Sequence, residues 1–167
     1  VSENQTGVTT VTSSDVDGGT PIYSIVGGAD AALFSIDSAT GVLTFNAAPD
    51  YEAPADAGAD NIYDVTVQVS DGVGGLDTQA IAVTVTPLND NTPQITSDGG
   101  GATASISVAE NATAVTTITA TDVDLPAQSL TYSIVGGADA ARFSINATSG
   151  ALSFLVAPNY EAPTDIG

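Results

Sequence analysis

The chain has no cysteine, no histidine, no methionine and no tryptophan, and Arg142 is its only lysine or arginine. Without cysteine there is no disulfide framework and no thiolate-bound metal. Without histidine or cysteine the usual general bases and nucleophiles are missing, and no serine has a visible base beside it. Paired carboxylates do serve glycoside hydrolysis, but here they sit in repeated structural motifs, so the chain does not read as an enzyme. One basic side chain also excludes nucleic acid as a partner, since phosphate binding needs lysine and arginine, and an anionic membrane surface for the same reason. Aromatic residues make up only 5% against 43% hydrophobic residues overall. The apolar mass is mostly Ala, Val and Ile, which suits thin β-sheets better than one large core. No signal peptide, transmembrane run or lipidation motif is visible. The sequence starts and stops in mid-pattern and is expected to be a piece of something longer.

What is abundant is acid: 20 Asp and Glu in 167 residues, for a net charge of -19. A solvated acidic surface accounts for part of this. Bound cations account for another part wherever acids recur at fixed structural positions. The recurrence comes from an internal repeat. Val1-Ser2-Glu3-Asn4 returns as Val108-Ala109-Glu110-Asn111, and Asp15-Val16-Asp17 as Asp122-Val123-Asp124, 107 residues on. The ten residues from Tyr23 to Ala32 return unchanged from Tyr132 to Ala141, 109 residues on, so two residues are inserted after Asp124. Pro49-Asp50-Tyr51-Glu52-Ala53-Pro54 returns as Pro158-Asn159-Tyr160-Glu161-Ala162-Pro163, and Gly167 is the counterpart of Gly58. This gives about one and a half copies: a first repeat over 1–91 that lacks its first strand, and a second over 92–167 that lacks its last two, with a linker at 87–93.

Alternation marks the strands. Runs at 8–13, 21–26, 34–36, 42–45, 63–69 and 81–85 are expected strands of the first copy, with a helical turn at 29–32. Gly41 closes a hairpin loop that starts at Asp37, and 71–75 is a glycine-rich turn. In the second copy, 94–96, 104–108, 115–120, 130–135, 143–145 and 151–154 are expected strands, with a flexible break at 97–101. About seven short strands per period of roughly 100 residues predict an all-β, Greek-key, seven-strand β-sandwich of the immunoglobulin-like type.

Between the copies lies Pro87-Leu88-Asn89-Asp90-Asn91-Thr92-Pro93. Proline at each end stiffens it, and the oxygen-rich side chains between suit a hard cation such as Ca²⁺. The other acids fall into short motifs: Glu3-Asn4, Asp15-x-Asp17, Asp50-Tyr51-Glu52, and Asp71 after an expected strand. Five such motifs in this order resemble those of cadherin-type repeats, over essentially the whole chain. The Ala- and Thr-rich, lysine-free composition resembles a bacterial or archaeal surface version.

The resemblance implies Ca²⁺ held between consecutive domains. The central junction would use Glu3, Asp50 and Glu52 of the first copy, Asn89, Asp90 and Asn91 of the linker, and Asp122 and Asp124 of the second copy. Asp15, Asp17 and Asp71 would serve a preceding junction, and Glu110 and Glu161 a following one. The chain departs from the family pattern at Pro87, which replaces the linker's first Asp, at Asn159, which replaces the counterpart of Asp50, and at Gln128-Ser129, where an Asn is expected. A counterpart of Asp71 is absent from the second copy. The partners implied are neighbouring repeats of the same chain, and the same protein on another cell or in an extracellular filament. A glycan is an alternative partner, although no aromatic platform for sugar is evident. The location implied is extracellular, secreted or at the cell surface.

Each motif also has a plainer reading. Asp-x-Asp and Asp-Gly pairs occur in ordinary turns. Asp30 and Asp139 read as turn or helix-start residues, and Asp56, Asp60 and Asp64 as a solvated loop face. Tyr23, Tyr132 and the four phenylalanines read as core, Tyr51 and Tyr160 as packing anchors. Asn4, Asn111 and Asn146 open Asn-x-Thr sequons, which carry no meaning in a prokaryotic protein. The set taken together favours metal on electrostatic grounds. Carboxylates 4 Å apart repel by about 4 kcal/mol per pair at an effective dielectric of 20, so six gathered acids need a cation.

Overall fold

The structure is a computed structural model that describes residues 1–165. Residues 166 and 167, which close the expected second copy, lie outside the described residues. The chain separates into two compact units, Val1–Asn89 and one that begins at Asp90.

The first unit is built from β1 (Gly7–Thr10), β2 (Ile22–Gly27), β3 (Phe34–Ile36), β4 (Val42–Phe45), β5 (Ile62–Ser70) and β6 (Leu76–Thr84). They form two three-stranded antiparallel sheets, β1-β4-β3 and β2-β5-β6. The chain therefore crosses between sheets after β1, β2 and β4, the Greek-key pattern of a sandwich. Ser2 adds a parallel bridge to Thr86 beyond the end of β6.

Alternation sends one side chain in two into the space between the sheets. Phe34, Leu43 and Phe45 enter from one sheet, and Tyr63, Val65, Val67 and Val83 from the other, none more than 5% exposed. Each contributes about 1.5–3 kcal/mol by leaving water. Phe34 stacks on Phe45 with centroids 4.6 Å apart, and the Tyr63 ring meets Phe45 edge-on at 5.1 Å.

The boundaries differ from expectation at β1, which ends at Thr10 rather than at 13. Val11 still donates to the Gly41 carbonyl at 2.8 Å, and the Ser13 hydroxyl bonds the Tyr23 hydroxyl at 3.0 Å, but the chain then leaves the sheet. The helical turn is a short 3-10 segment at Ala31–Leu33. Asp30 before it is no simple turn residue. It is buried, and its carboxylate accepts the Ala57 amide at 2.7 Å and the Asp64 amide at 2.8 Å. Asp56 is likewise buried rather than part of a solvated face, and it accepts the amides of Asp60 and Asn61.

The second unit holds β7 (Gln94–Ile95), β8 (Ala114–Thr117), β9 (Ala120–Thr121), β10 (Phe143–Ile145) and β11 (Ala151–Phe154). These form the sheets β10-β11-β8 and β7-β9. Two expected strands are absent among the described residues, at 104–108 and 130–135. The first, Ala104-Ser105-Ile106-Ser107-Val108, alternates as a strand should, but Ile106 is 40% exposed and the segment pairs with no strand among the described residues. The second repeats the β2 sequence, but the described residues contain no counterpart of β5 to pair with it. Unpaired extended chain keeps no ladder. The core expected here is correspondingly open: Phe143, Phe154 and Tyr132 are only half-buried, and Tyr160 is 85% exposed rather than a packing anchor.

Gly28 measures how closely β5 lies on the turn after β2. A Cβ added there would stand 2.3 Å from the Asp64 carbonyl oxygen, at a backbone φ of +109°. Gly28→Ala is expected to destabilise the first unit by about 1–3 kcal/mol, the usual effect of overpacking, read as a shift of its urea unfolding midpoint. An unshifted midpoint would mean that β5 does not lie against this turn.

Candidate metal centre

At one end of the first unit, Glu3 is 1% exposed. Its carboxylate joins three separate segments. Oε2 accepts the Tyr51 amide at 2.8 Å, Oε1 accepts the Leu88 amide at 2.5 Å, and the Glu3 amide itself donates to the Thr86 carbonyl at 3.0 Å. The neighbouring turn is closed by Asp50, whose Oδ1 accepts the amides of Glu52 at 3.0 Å and Ala53 at 3.1 Å. This local bonding explains why the Asp-Tyr-Glu order matters: the Asp shapes the turn, the middle amide reaches Glu3, and the Glu is turned back beside it. Glu3 and Glu52 bring carboxylate oxygens within 4.8 Å of each other. Asn89 lies in the exposed stretch after Leu88.

In the second unit, Asp124 is 1% exposed. It accepts the Asn91 backbone amide at 3.1 Å and the Asn91 side-chain amide at 2.9 Å. The same side chain reaches Asp90 Oδ1 at 3.0 Å, and Asp122 Oδ1 accepts the Asp124 amide at 3.2 Å. Burial is the largest single influence on Asp124 and pushes its carboxyl up, but the hydrogen bonds from Asn91 and Asp90 together outweigh it and hold the group below the usual range.

Two of the three acids assigned to a preceding junction, Asp15 and Asp71, line a cavity of about 470 Å³ in the first unit. Asp15 Oδ1 accepts the Asp17 amide at 2.9 Å, while Asp17 itself is exposed and is not in the lining. Asp71 Oδ1 accepts three amides, from Val73, Gly74 and Gly75, at 2.8 to 3.0 Å. The Val73 amide is the largest of the influences that hold the Asp71 carboxyl low. Asp77 lines the same cavity and was not singled out from sequence. Its signal was its place at the start of β6, opposite Val69 across the hairpin.

The pair assigned to a following junction repeats the Glu3 arrangement in part. Glu110 Oε2 accepts the Tyr160 amide at 3.2 Å, and Asn159 Oδ1 accepts the Glu161 amide at 2.9 Å, so Asn159 performs the turn-closing task of Asp50 without its charge. Glu110 is exposed where Glu3 is buried.

Every candidate ligand is an oxygen, the donor set of a hard divalent cation. Among the described residues the one ion pair is Arg142 with Asp139, at 3.1 Å, so no lysine or arginine neutralises Glu3 or Asp124. A carboxylate removed from water is costly unless it is paired, hydrogen-bonded or bound to metal. Two amides on each of these groups meet part of that requirement, and a carboxylate has about four lone-pair sites. The residues present therefore fit Ca²⁺.

A family model described as a cadherin domain matches residues 1–86. Human protocadherin Fat 1 is 34% identical over 145 residues, which cover 83% of this chain and 3% of the relative. Rat protocadherin Fat 2 is 31% identical over the same share of this chain and 3% of its own length. The chain thus spans a small fraction of these animal proteins, whereas its composition pointed to a prokaryotic surface protein. Among solved structures, mouse cadherin-23 EC22-24 superimposes with a TM-score of 0.67 at 25% identity, over 96% of this chain and 51% of that one. Human protocadherin-24 EC1-2 gives a TM-score of 0.74 at 22% identity, over 98% of this chain and 75% of that one, a likeness of fold.

The Asp71 turn carries a pH prediction. A carboxyl held low in the folded state contributes stability in full above its unfolded value of about 3.9 and loses it as pH falls through the folded value. Asp71→Ala is expected to lower the thermal midpoint of the first unit at neutral pH, and the gap from the parent chain should close near pH 2. A gap that stayed constant with pH would show that the ionised carboxylate is not what holds the turn.

Proposed function

The chain belongs to the cadherin-domain family, and from that premise we propose that it is a Ca²⁺-binding extracellular repeat that stiffens a long adhesive protein. The observation that carries this reading is the pair of almost fully buried carboxylates, Glu3 and Asp124, that no lysine or arginine neutralises. Glu3 accepts the backbone amide of Leu88 within the first unit, and Asp124 that of Asn91 within the second, both residues of the connecting stretch.

On this reading Glu3, Asp50 and Glu52 supply ligands from the first unit. Asn89, Asp90 and Asn91 supply them from the linker, and Asp122 and Asp124 from the second unit. Asp15, Asp17 and Asp71 face the preceding repeat, and Glu110 and Glu161 the following one. The role is one of binding and extension, with no chemistry performed on a substrate. Adhesion then comes from presenting repeats of the same kind to each other at a cell surface or between cells. No helix among the described residues is long and apolar enough to cross a membrane.

Extracellular Ca²⁺ modules have dissociation constants of about 10⁻⁴–10⁻³ M. At free Ca²⁺ ten times the constant, one ion stabilises the bound form by roughly 1.4 kcal/mol. That is enough to shift a joint between two orientations without unfolding either unit.

Calorimetric titration of the chain with Ca²⁺ is expected to show saturable binding in this range. Glu3→Gln removes the charge and keeps an acceptor for only one of the Tyr51 and Leu88 amides, whereas Asp124→Asn removes the charge and keeps one oxygen for both Asn91 donors. Each should weaken binding by about tenfold or more. Small-angle scattering should show a larger radius of gyration with Ca²⁺ than with chelator. Heat-free titrations and an unchanged radius would reduce the acids to a solvated surface. Sedimentation that shows monomer alone, with and without Ca²⁺, would remove self-contact as the mode of adhesion.

A further inference from the structure

Asn61 sits where three segments of the first unit meet. Its backbone amide donates to Asp56 Oδ1 at 3.1 Å, and its carbonyl accepts the Val85 amide at 2.9 Å. Its side-chain Nδ2 donates to the Tyr51 carbonyl at 3.0 Å. The residue is 9% exposed and holds φ at +62°, left-handed backbone that Asn, Asp and Gly adopt more readily than other residues.

The side chain carries a cost. Its Oδ1 is buried and accepts no hydrogen bond among the described residues, which is destabilising for a polar atom removed from water. Glycine would meet the backbone requirement without that oxygen. What asparagine adds is the Nδ2 donor. The Tyr51 carbonyl can only accept, so it fixes which end of the amide faces it.

The bond falls on a particular peptide. The Tyr51 carbonyl and the Glu52 amide belong to one peptide plane. Asp50 Oδ1 accepts the Glu52 amide at 3.0 Å, so this plane is held at one edge by Asp50 and at the other by Asn61. The plane before it is held as well, since the Tyr51 amide donates to Glu3 Oε2 at 2.8 Å. With both planes pinned, φ and ψ of Tyr51 are fixed, and so is the root of the Glu52 side chain. Glu52 then brings a carboxylate oxygen within 4.8 Å of one from Glu3. Released from Asn61, the second plane would be held at its Asp50 edge and could turn about that bond, which would swing Glu52 relative to Glu3.

We propose that Asn61 is a positioning residue for the metal centre, and that through the Tyr51 carbonyl it sets the Glu52 carboxylate against Glu3. This rests on the Ca²⁺ reading above. Asn61 gives no ligand itself, and its hold on the site runs through the 51–52 peptide. Loss of one such outer partner changes metal affinity by about 10–100-fold.

The test uses the whole chain and two variants that keep the left-handed backbone. Asn61→Gly removes the side chain, and Asn61→Asp keeps its shape but sets an oxygen against the Tyr51 carbonyl. In chelator, amide exchange at Tyr51 and Glu52 is expected to quicken by about tenfold in both variants. Exchange at Val85, whose bond is to the Asn61 backbone, should stay as in the parent chain. In calorimetric titration both variants should bind Ca²⁺ about tenfold or more weakly. The Asp variant is the sharper of the two, because an added carboxylate favours a cation and cannot weaken binding through its charge. Coupling between two equilibria is reciprocal, so in the parent chain Ca²⁺ should slow exchange of the Asn61 side-chain amide protons, a readout that needs no variant. Unchanged exchange at Tyr51 and Glu52 would overturn the inference. Faster exchange with parent-like Ca²⁺ affinity would also overturn it, by leaving Asn61 a structural residue alone. Tighter binding by Asn61→Asp would overturn it by making position 61 a ligand. A parent chain that takes up no Ca²⁺ would overturn the reading of the site and this inference with it, an outcome that the parent titration alone distinguishes from the others.

Discussion

The pairing of β2 with β5 is the contact on which the first unit depends. β5 brings Tyr63, Val65 and Val67 to the core and carries β6 on its other edge, which adds Val83. It also donates the Asp64 amide that satisfies buried Asp30. Removing that one neighbour would open the aromatic floor, expose an unpaired strand edge and leave a buried carboxylate short of a donor. The described residues of the second unit contain no counterpart of β5. The same ten-residue sequence is present there, yet the floor is open, the strand is absent and the equivalent aspartate is held by arginine instead. Local sequence sets the turns; the ladder sets the strand.

A second constraint is charge. With one basic side chain, the fold stabilises its buried acids with backbone amides. Glu3, Asp30, Asp56 and Asp124 are all buried, and each accepts at least two N–H groups. Amide donors are fixed in direction by the turns that carry them. Each acid thus specifies a loop conformation as well as a charge. Burying acids against amides is how a chain of net charge -19 folds with almost no internal counter-charge.

Much of this was legible in the sequence because it rests on local rules. The hairpin of β3 and β4 followed from alternation and from Gly41, whose φ is +72°. The repeat sets Glu3 and Glu110 in the same local arrangement, each accepting the amide of the Tyr in its Asp/Asn-Tyr-Glu turn. What escaped was set by contacts distant in sequence. Asp56 looked like a loop acid, since nothing local shows that the Asp60 and Asn61 amides fold back on it. Asp77 has no local signal, because its relation to Asp15 and Asp71 exists only across a formed hairpin. The segment at 130–135 reads as a strand by every local measure, and among the described residues it pairs with none.

These constraints also shape how a cation would act on the proposed reading. Asp50, Asp71, Asp122 and Asp124 close their turns with hydrogen bonds from backbone amides. On the proposed reading, these bonds shape the half-sites that Ca²⁺ would meet. An ion of modest affinity can act on orientation between repeats and leave each repeat's fold alone. A chain with lysines beside these acids would lose that property, because its carboxylates would be neutralised internally and would have little left to offer a cation. On the proposed reading, the scarcity of basic residues leaves these carboxylates available to a cation.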